Sequence, residues 1–385
     1  MIKRKIDPSL INKVSSQSRI TESVDCIIFS NNYMRTKRYL DGLNNCKVLS
    51  ELPFINAFAV NVCPNKLGVI SSIKHVNYIT SQAKVTAQVN VAKDVMNTKF
   101  LQDEGLTGKG IAIAFIDTGI KPHLDFVTPK NRILIFKDFV NFQTSAYDDN
   151  GHGTFVSSVA VGNGLCSCEK ISGVAPKANI ISLKALDKNG ETGAFTILEA
   201  MQWVHENYKK YNIKVVCMSF GSQPLSNSDP LARGAETLWD DGIVVVAAAG
   251  NSGPDRQTIK SPGVSTKIIT VGALDDKRNA VDNSFDEKLF EVADFSSRGP
   301  AFNYYKPDLI ASGVNLTCCS NKDSEFYTHM SGTSVATPLV AGLSALIIEK
   351  FPTISPLEVK SIILSNCKSL TGNRNIEGYG YFRIE

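Results

Sequence analysis

At 385 residues, with 43% hydrophobic and 20% charged residues, the chain has an ordinary globular composition and a length that suggests about two domains. A formal net charge of +4 without any dense Lys/Arg block argues against nucleic acid as a partner. No apolar stretch approaches the ~18 residues of a membrane span, and no apolar h-region follows the basic start MIKRK, so neither a membrane nor a signal peptide is signalled. The expectation is a cytoplasmic protein, with release by a non-classical route left open.

In chain order, Val24–Phe29 reads as a strand, Tyr33–Leu43 as a helix, Cys46–Leu52 and Ala57–Val62 as strands, Lys66–Lys74 as a helix and Val76–Thr80 as a strand. That β-α-β-β-α-β order is the split βαβ, ferredoxin-like pattern. The polar stretch Ser81–Asn97 shows no hydrophobic period and reads as a linker. Beyond it, Ile111–Ile116, Ile180–Ala185, Val215–Met218, Ile243–Ala248 and Ile268–Val271 are continuous apolar runs, the pattern of strands buried on both faces. Helical patterns lie between and after them, at Thr154–Val161, Thr196–Tyr208, Asp229–Asp240, Ser334–Lys350 and Pro356–Cys367. Alternation of this kind implies an α/β domain with a parallel sheet covered by helices on both faces. Ligand sites in such sheets form beyond the carboxyl ends of the strands.

The nine cysteines are odd in number and contain no C-x-x-C, so spacing signals neither a disulfide framework nor a zinc site. Cys166 and Cys168 form a C-x-C, a weaker metal-like spacing. Reduced thiols in a reducing compartment are expected.

Four residues with chemistry fall at strand exits or helix starts. Asp117 follows the run Ile111–Ile116, in I-D-T-G. His152 stands between two glycines in D-D-N-G-H-G-T, ahead of a helix. Asn251 follows the run Ile243–Ala248, in A-A-A-G-N-S-G-P. Ser334 begins a helix of small and apolar residues, in M-S-G-T-S-V-A-T-P. Taken singly, the Asp and Asn read as turn residues and the Ser as a helix N-cap. Taken together they fit acyl transfer. Ser334 is then the nucleophile and His152 the general base. Asp117 orients the imidazole, and Asn251 with the Ser334 backbone N–H receives the oxyanion.

The four blocks I-D-T-G-I, N-G-H-G-T, A-A-G-N-S-G-P and M-S-G-T-S-V-A-T-P resemble the subtilases, over roughly Leu101 to Gly380. The stretches D-P-L-A-R-G-A-E, S-P-G-V-S-T-K-I-I-T-V-G-A-L-D-D and F-S-S-R-G-P resemble the AprX-type branch, whose members lack signal peptides. The resemblance implies a subtilisin-like seven-stranded parallel sheet flanked by helices over 91–385, and serine endopeptidase activity of broad specificity on protein or peptide substrates. It implies that Ser219, Phe220 and Gly221 pair with substrate backbone, and that Ala248, Ala249 and Gly250 form the facing wall of the P1 pocket. Phe220 replaces the usual Leu there, and an apolar P1 residue is expected.

The resemblance further implies that region 1–90 is a ferredoxin-like propeptide. It would inhibit the enzyme as its own partner until self-cleavage between about Ile79 and Val95, with Thr80–Val91 as the tail in the cleft. Phe155 stands where many members have a second His, and Ser312 where many have Pro, with a changed turn as the expected effect. Gly164–Gly173 lacks the Asn-rich loop of the family's calcium site, leaving Asp125 as one carboxylate at that place; calcium is not expected there, another calcium site is left open, and no other cofactor is expected. A catalytically silent subtilase serving as scaffold is the alternative. The complete set Asp117, His152, Ser334 and Asn251 argues against it.

Overall fold

The structure, a computed structural model, describes residues 5–6, 10, 23–53, 56–81, 89–224, 229–279 and 284–384. The chain forms two compact units, residues 1–85 with 280–282, and residues 86–279 with 283–385.

In the first unit the elements run β1 (Val24–Ser30), α1 (Tyr33–Asp41), β2 (Cys46–Leu52), β3 (Ala57–Val62), α2 (Pro64–Ser72) and β4 (Val76–Ser81). The sheet order is β2-β3-β1-β4, and its pairs are antiparallel. Strict alternation along β1 buries Val24, Cys26 and Ile28 on one face, where they pack with Leu40, Val60, Leu67, Ile70 and Ile79. The unit therefore has an apolar core of its own.

The second unit opens with α3 (Val89–Met96) and α4 (Lys99–Asp103). The stretch expected to be a linker is thus helical over its second half. Ala92, Val95 and Met96 recur at helical spacing and are buried. The surrounding polar residues mask that short period in the sequence. Arg383 Nη1 donates to the carbonyls of Asp94 and Val95, which ties α3 to the end of the chain.

The sheet elements follow as β5 (Ala112–Asp117), α5 (Leu124–Val127), β6 (Ile133–Asp138), α6 (His152–Val161), β7 (Asn179–Lys184), α7 (Ala194–Tyr211), β8 (Ile213–Met218), α8 (Pro230–Asp240), β9 (Val244–Ala248) and β10 (Ile269–Asp275). Then come β11 (Glu291–Val292), β12 (Leu309–Ser312), the hairpin β13 (Leu316–Cys319) and β14 (Tyr327–Met330), α9 (Thr333–Lys350), α10 (Pro356–Ser365), β15 (Cys367–Lys368), α11 (Arg374–Glu377) and β16 (Tyr381–Phe382). The order β6-β7-β5-β8-β9-β10-β12 is parallel at every junction. β16 extends it in parallel, while β15 and β11 add antiparallel pairs.

β5 and β9 are buried along their whole length, as continuous apolar runs require. α9 is long and apolar enough to cross a bilayer, yet 83% of it is buried inside the protein, against α6 and strands β8, β9 and β10. Its apolarity is that of a core helix. Ser312 ends β12 instead of remodelling a turn: its hydroxyl donates to Asp276 Oδ2 at 2.7 Å. Phe155 is fully buried within α6.

Candidate active site

Asp117 is the last residue of β5, so the strand delivers its carboxylate to the carboxyl edge of the sheet. It is 2% exposed. Oδ1 accepts from the Thr118 N–H at 2.8 Å and lies 2.7 Å from His152 Nδ1. Oδ2 is buried without a hydrogen-bond partner among the described residues. A carboxylate acceptor at that distance places the ring proton on Nδ1, which donates to Asp117, and leaves Nε2 with the free lone pair of a neutral ring.

His152 is the first residue of α6, and its position depends on residues that carry no catalytic signature. Asp148 Oδ1 accepts from Asn150 N, Gly151 N and Thr118 Oγ1, at 3.2, 2.8 and 2.9 Å. Its Oδ2 accepts from Thr154 N and Thr154 Oγ1, at 2.8 and 2.6 Å. One buried carboxylate thus satisfies donors on either side of His152, at Asn150, Gly151 and Thr154, and ties them to Thr118 at the exit of β5. Lys184, fully buried at the end of β7, donates to the Thr118 carbonyl at 2.7 Å and to Asp149 Oδ1 at 2.7 Å. The first Asp of D-D-N-G-H-G-T is visible in the sequence only as a neighbour of His152; its role arises from partners on β5. Gly153 is required by close approach. A Cβ there would overlap the Gly119 carbonyl oxygen.

Burial alone would depress the His152 pKa. The charge of Asp117, its hydrogen bond and the charge of Asp148 outweigh burial, and the pKa is raised above the usual 6.5.

Ser334 is the second residue of α9, behind the N-cap Gly332, so its hydroxyl does not cap the helix. A methyl group built on Gly332 would stand 2.9 Å from Ser334 Oγ, 3.3 Å from Asn251 Nδ2 and 3.6 Å from Ser334 N. A nucleophile-type hydroxyl and two N–H donors therefore border one small space. The Asn251 amide is held in this orientation by Thr333, whose N–H and Oγ1–H both donate to Asn251 Oδ1 at 2.9 Å. Thr333 Oγ1 in turn accepts from Gly250 N at 3.1 Å. Thr333 has no signal in the sequence beyond its place next to Ser334.

His152, Asn251 and Ser334 line one cleft of about 560 Å³, and Asp117 reaches it through His152. Ser219, Phe220, Gly221, Ala248 and Gly250 line it as well. Ala249 does not: it is fully buried, packed with Ile259 and Val264 beneath the wall. Lys260 is a wall residue not foreseen from the sequence. A Cβ at Gly221 or at Gly250 would overlap its stem, and its Nζ donates to Gln223 Oε1 at 2.6 Å. All nine cysteines are free.

Residues 108–381 match the Subtilase family. The chain is 39% identical over 363 residues to Serine protease AprX of Bacillus subtilis (strain 168), covering 88% of this chain and 80% of that protein. It is 32% identical over 288 residues to Subtilisin DY of Bacillus licheniformis, covering 74% and 93%. Among solved structures, S41 Psychrophilic Protease superposes with a TM-score of 0.65 at 29% identity, covering 79% of this chain and all of the other. Sphericase does so with a TM-score of 0.65 at 28% identity, with the same coverage. With the parallel sheet, the Asp–His pair at its edge and the Ser/Asn cleft in view, the chain belongs to the subtilase family and is a subtilisin-like serine protease.

Proposed function

We propose that the protein is an endopeptidase of broad specificity, made as a self-cleaving zymogen, with Ser334 as nucleophile. The observation that carries this is the 2.7 Å Asp117–His152 pair opening into the cleft where Ser334 Oγ and the Asn251 amide converge. In the proposed sequence Ser334 Oγ attacks the scissile carbonyl carbon as its proton passes to His152 Nε2. The carbonyl oxygen becomes an oxyanion, met by Asn251 Nδ2–H and the Ser334 N–H. His152 returns the proton to the leaving amine as the C–N bond breaks, leaving an acyl-enzyme. Water repeats the cycle and frees Ser334. Asp117 stabilises the imidazolium formed on the way. A fluorophosphonate probe should label the protein at Ser334, and digestion of an unfolded protein should stop with labelling. Digestion that persists after complete labelling would sink the assignment.

Asn251→Ala should lower kcat by about 10² to 10³ with KM little changed, because the donor acts on charge that exists only in the transition state. Steady-state kinetics on a peptide anilide check this. An equal loss in KM would instead mark Asn251 as a ground-state binding residue.

Ser219, Phe220 and Gly221 on one side and Ala248 and Gly250 on the other are proposed to flank the substrate, with its backbone adding as a strand. The Lys260 stem against both glycines narrows that space. Lys260→Gly is expected to raise kcat/KM for large apolar P1 residues about 10-fold or more relative to small ones. A P1 profile on a peptide library reads this out, and an unchanged profile rejects the role of Lys260.

The first unit is proposed to be the propeptide, cut off between about Ile79 and Val95. The expected tail Thr80–Val91 falls largely outside the described residues. Support for the reading is the ferredoxin-like topology and the separate apolar core of that unit.

A further inference from the structure

Behind α6, away from the cleft, three metal-ligating side chains from distant parts of the chain are buried together: His123, Asp125 and Cys319. We propose that they form, with Cys166, a tetrahedral site for a borderline-soft divalent cation of the Zn²⁺ class. His123 precedes α5, Asp125 lies in it, Cys319 ends β13, and Cys166 sits in the 3-10 turn Leu165–Ser167.

The spacing favours this size of cation. Cys319 Sγ lies 3.3 Å from His123 Nδ1 and 3.5 Å from Asp125 Oδ2, and His123 Nδ1 lies 3.8 Å from Asp125 Oδ1. Ligand atoms at ~2.0–2.3 Å from a tetrahedral zinc stand about 3.3–3.8 Å from one another. Cys319 Sγ is therefore already at zinc-site separation from His123 Nδ1 and from one Asp125 oxygen, and one ligand atom from each of the three side chains lies within 4.8 Å of the other two. Cys166 stands beside the same carboxylate, its N–H donating to Asp125 Oδ1 at 3.0 Å, so its thiol needs only to turn inward to become the fourth ligand. Cys166 is half-buried and Cys168 exposed, which gives a cation a way in.

An outer shell is present too. Ser158 Oγ donates to Cys319 Sγ at 3.0 Å and Tyr327 OH to Asp125 Oδ2 at 2.9 Å, the kind of support that orients ligands and stabilises a thiolate. A single carboxylate with two sulfurs and an imidazole is the wrong donor set for calcium, which takes 6–8 oxygens.

Charge also balances. Buried Arg132, which donates to the carbonyls of Asp125, Val161 and Ala178, already offsets the Asp125 carboxylate. Binding replaces two thiol protons by one M²⁺: Cys166–SH and Cys319–SH become thiolates, two H⁺ leave, and no net charge is buried. His123 Nδ1 gives up the weak contact it accepts from Asp125 N at 3.1 Å. No electron transfer is involved.

The test is Co²⁺ titration of the chelator-stripped full-length chain, carried as Ser334→Ala so that it stays intact. The expected result is one Co²⁺ per chain, with tetrahedral d–d bands, a thiolate-to-cobalt charge-transfer band and two protons released. Zn²⁺ should then displace the Co²⁺. Cys319→Ser should abolish the site. Cys166→Ser should halve the charge-transfer band and weaken binding at least tenfold, and Cys168→Ser should change nothing. Absence of the charge-transfer band at one equivalent overturns the proposal. So does a band that survives undiminished in Cys319→Ser, which would place the cobalt on Cys166 and Cys168 alone. Should Cys319→Ser fail to fold by circular dichroism, Cys166→Ser decides: an undiminished band there rejects the site.

Discussion

Ser334→Ala is expected to leave all 385 residues joined after prolonged incubation, while the wild-type chain loses its N-terminal region by a cut between about Ile79 and Val95. Intact mass of both proteins over time measures it. Removing the hydroxyl deletes the atom proposed to form the acyl bond while leaving Asn251, Thr333 and the cleft in place. The fold should be unaffected, since Ser334 Oγ neither caps α9 nor supports it. Turnover of an unfolded protein should fall about 10⁶-fold, roughly 8 kcal/mol of transition-state stabilisation, the scale on which loss of the nucleophile acts in a subtilisin. Residual catalysis would come from the oxyanion donors and binding alone. A Ser334→Ala chain that still matures and digests substrate at a tenth of the wild-type rate would overturn the nucleophile assignment. Wild type that digests substrate but keeps its N-terminal region would overturn only the zymogen reading.

Asp117→Asn is the second large effect. In the wild type, His152 Nδ1–H donates to Asp117 Oδ1 at 2.7 Å, which leaves Nε2 basic. An amide in that place can present N–H to Nδ1, which moves the ring proton to Nε2 and removes the base. A loss of about 10⁴ in kcat is expected. The pH profile supplies a second readout. Only the neutral imidazole is competent, so wild-type kcat/KM should rise with pH through a pKa above 6.5 and be lost on the acid side. Burial is the largest influence on His152 and pushes its pKa down; Asp117 and Asp148 overcome it. With Asp117 neutralised, burial regains weight, and the acid limb of the remaining activity should move to lower pH. An Asp117→Asn chain within tenfold of wild type, with an unmoved acid limb, would remove Asp117 from the mechanism.

The sheet is readable in the sequence wherever both faces of a strand are covered. β5, up to its last residue Asp117, and β9 announce themselves as unbroken apolar runs because both of their faces are covered. β6 does not: it closes the sheet edge, so Leu134 and Lys137 reach solvent and the buried run is broken. β12, four residues long, is too short to show a period. α3 is hidden in the same way by the polar residues around Ala92, Val95 and Met96. At the site, the residues proposed to do chemistry carry distinctive types in distinctive turns, and Asp117, His152, Asn251 and Ser334 are legible for that reason. Asp148 and Thr333 are not. Each is an ordinary acceptor or donor whose value lies in partners contributed by other parts of the chain. Ala249 reads as a cleft-wall residue from its neighbours, but the chain turns its methyl inward between Ala248 and Gly250.

α9 packs beneath β8, β9 and β10 and is buried on nearly all sides, yet it lies far along the chain from β5, whose sheet it covers. During synthesis the strands leave the ribosome well before this helix does. Until it arrives, β8, β9 and β10 lack the helix that covers one of their faces, and the sheet's pairings are all of high sequence separation. Such a topology folds slowly and exposes apolar surface while it waits. A stalled or truncated chain ending before Thr333 would carry the seven parallel strands β5 to β10 and β12 without the helix that covers β8, β9 and β10, and aggregation is its expected fate.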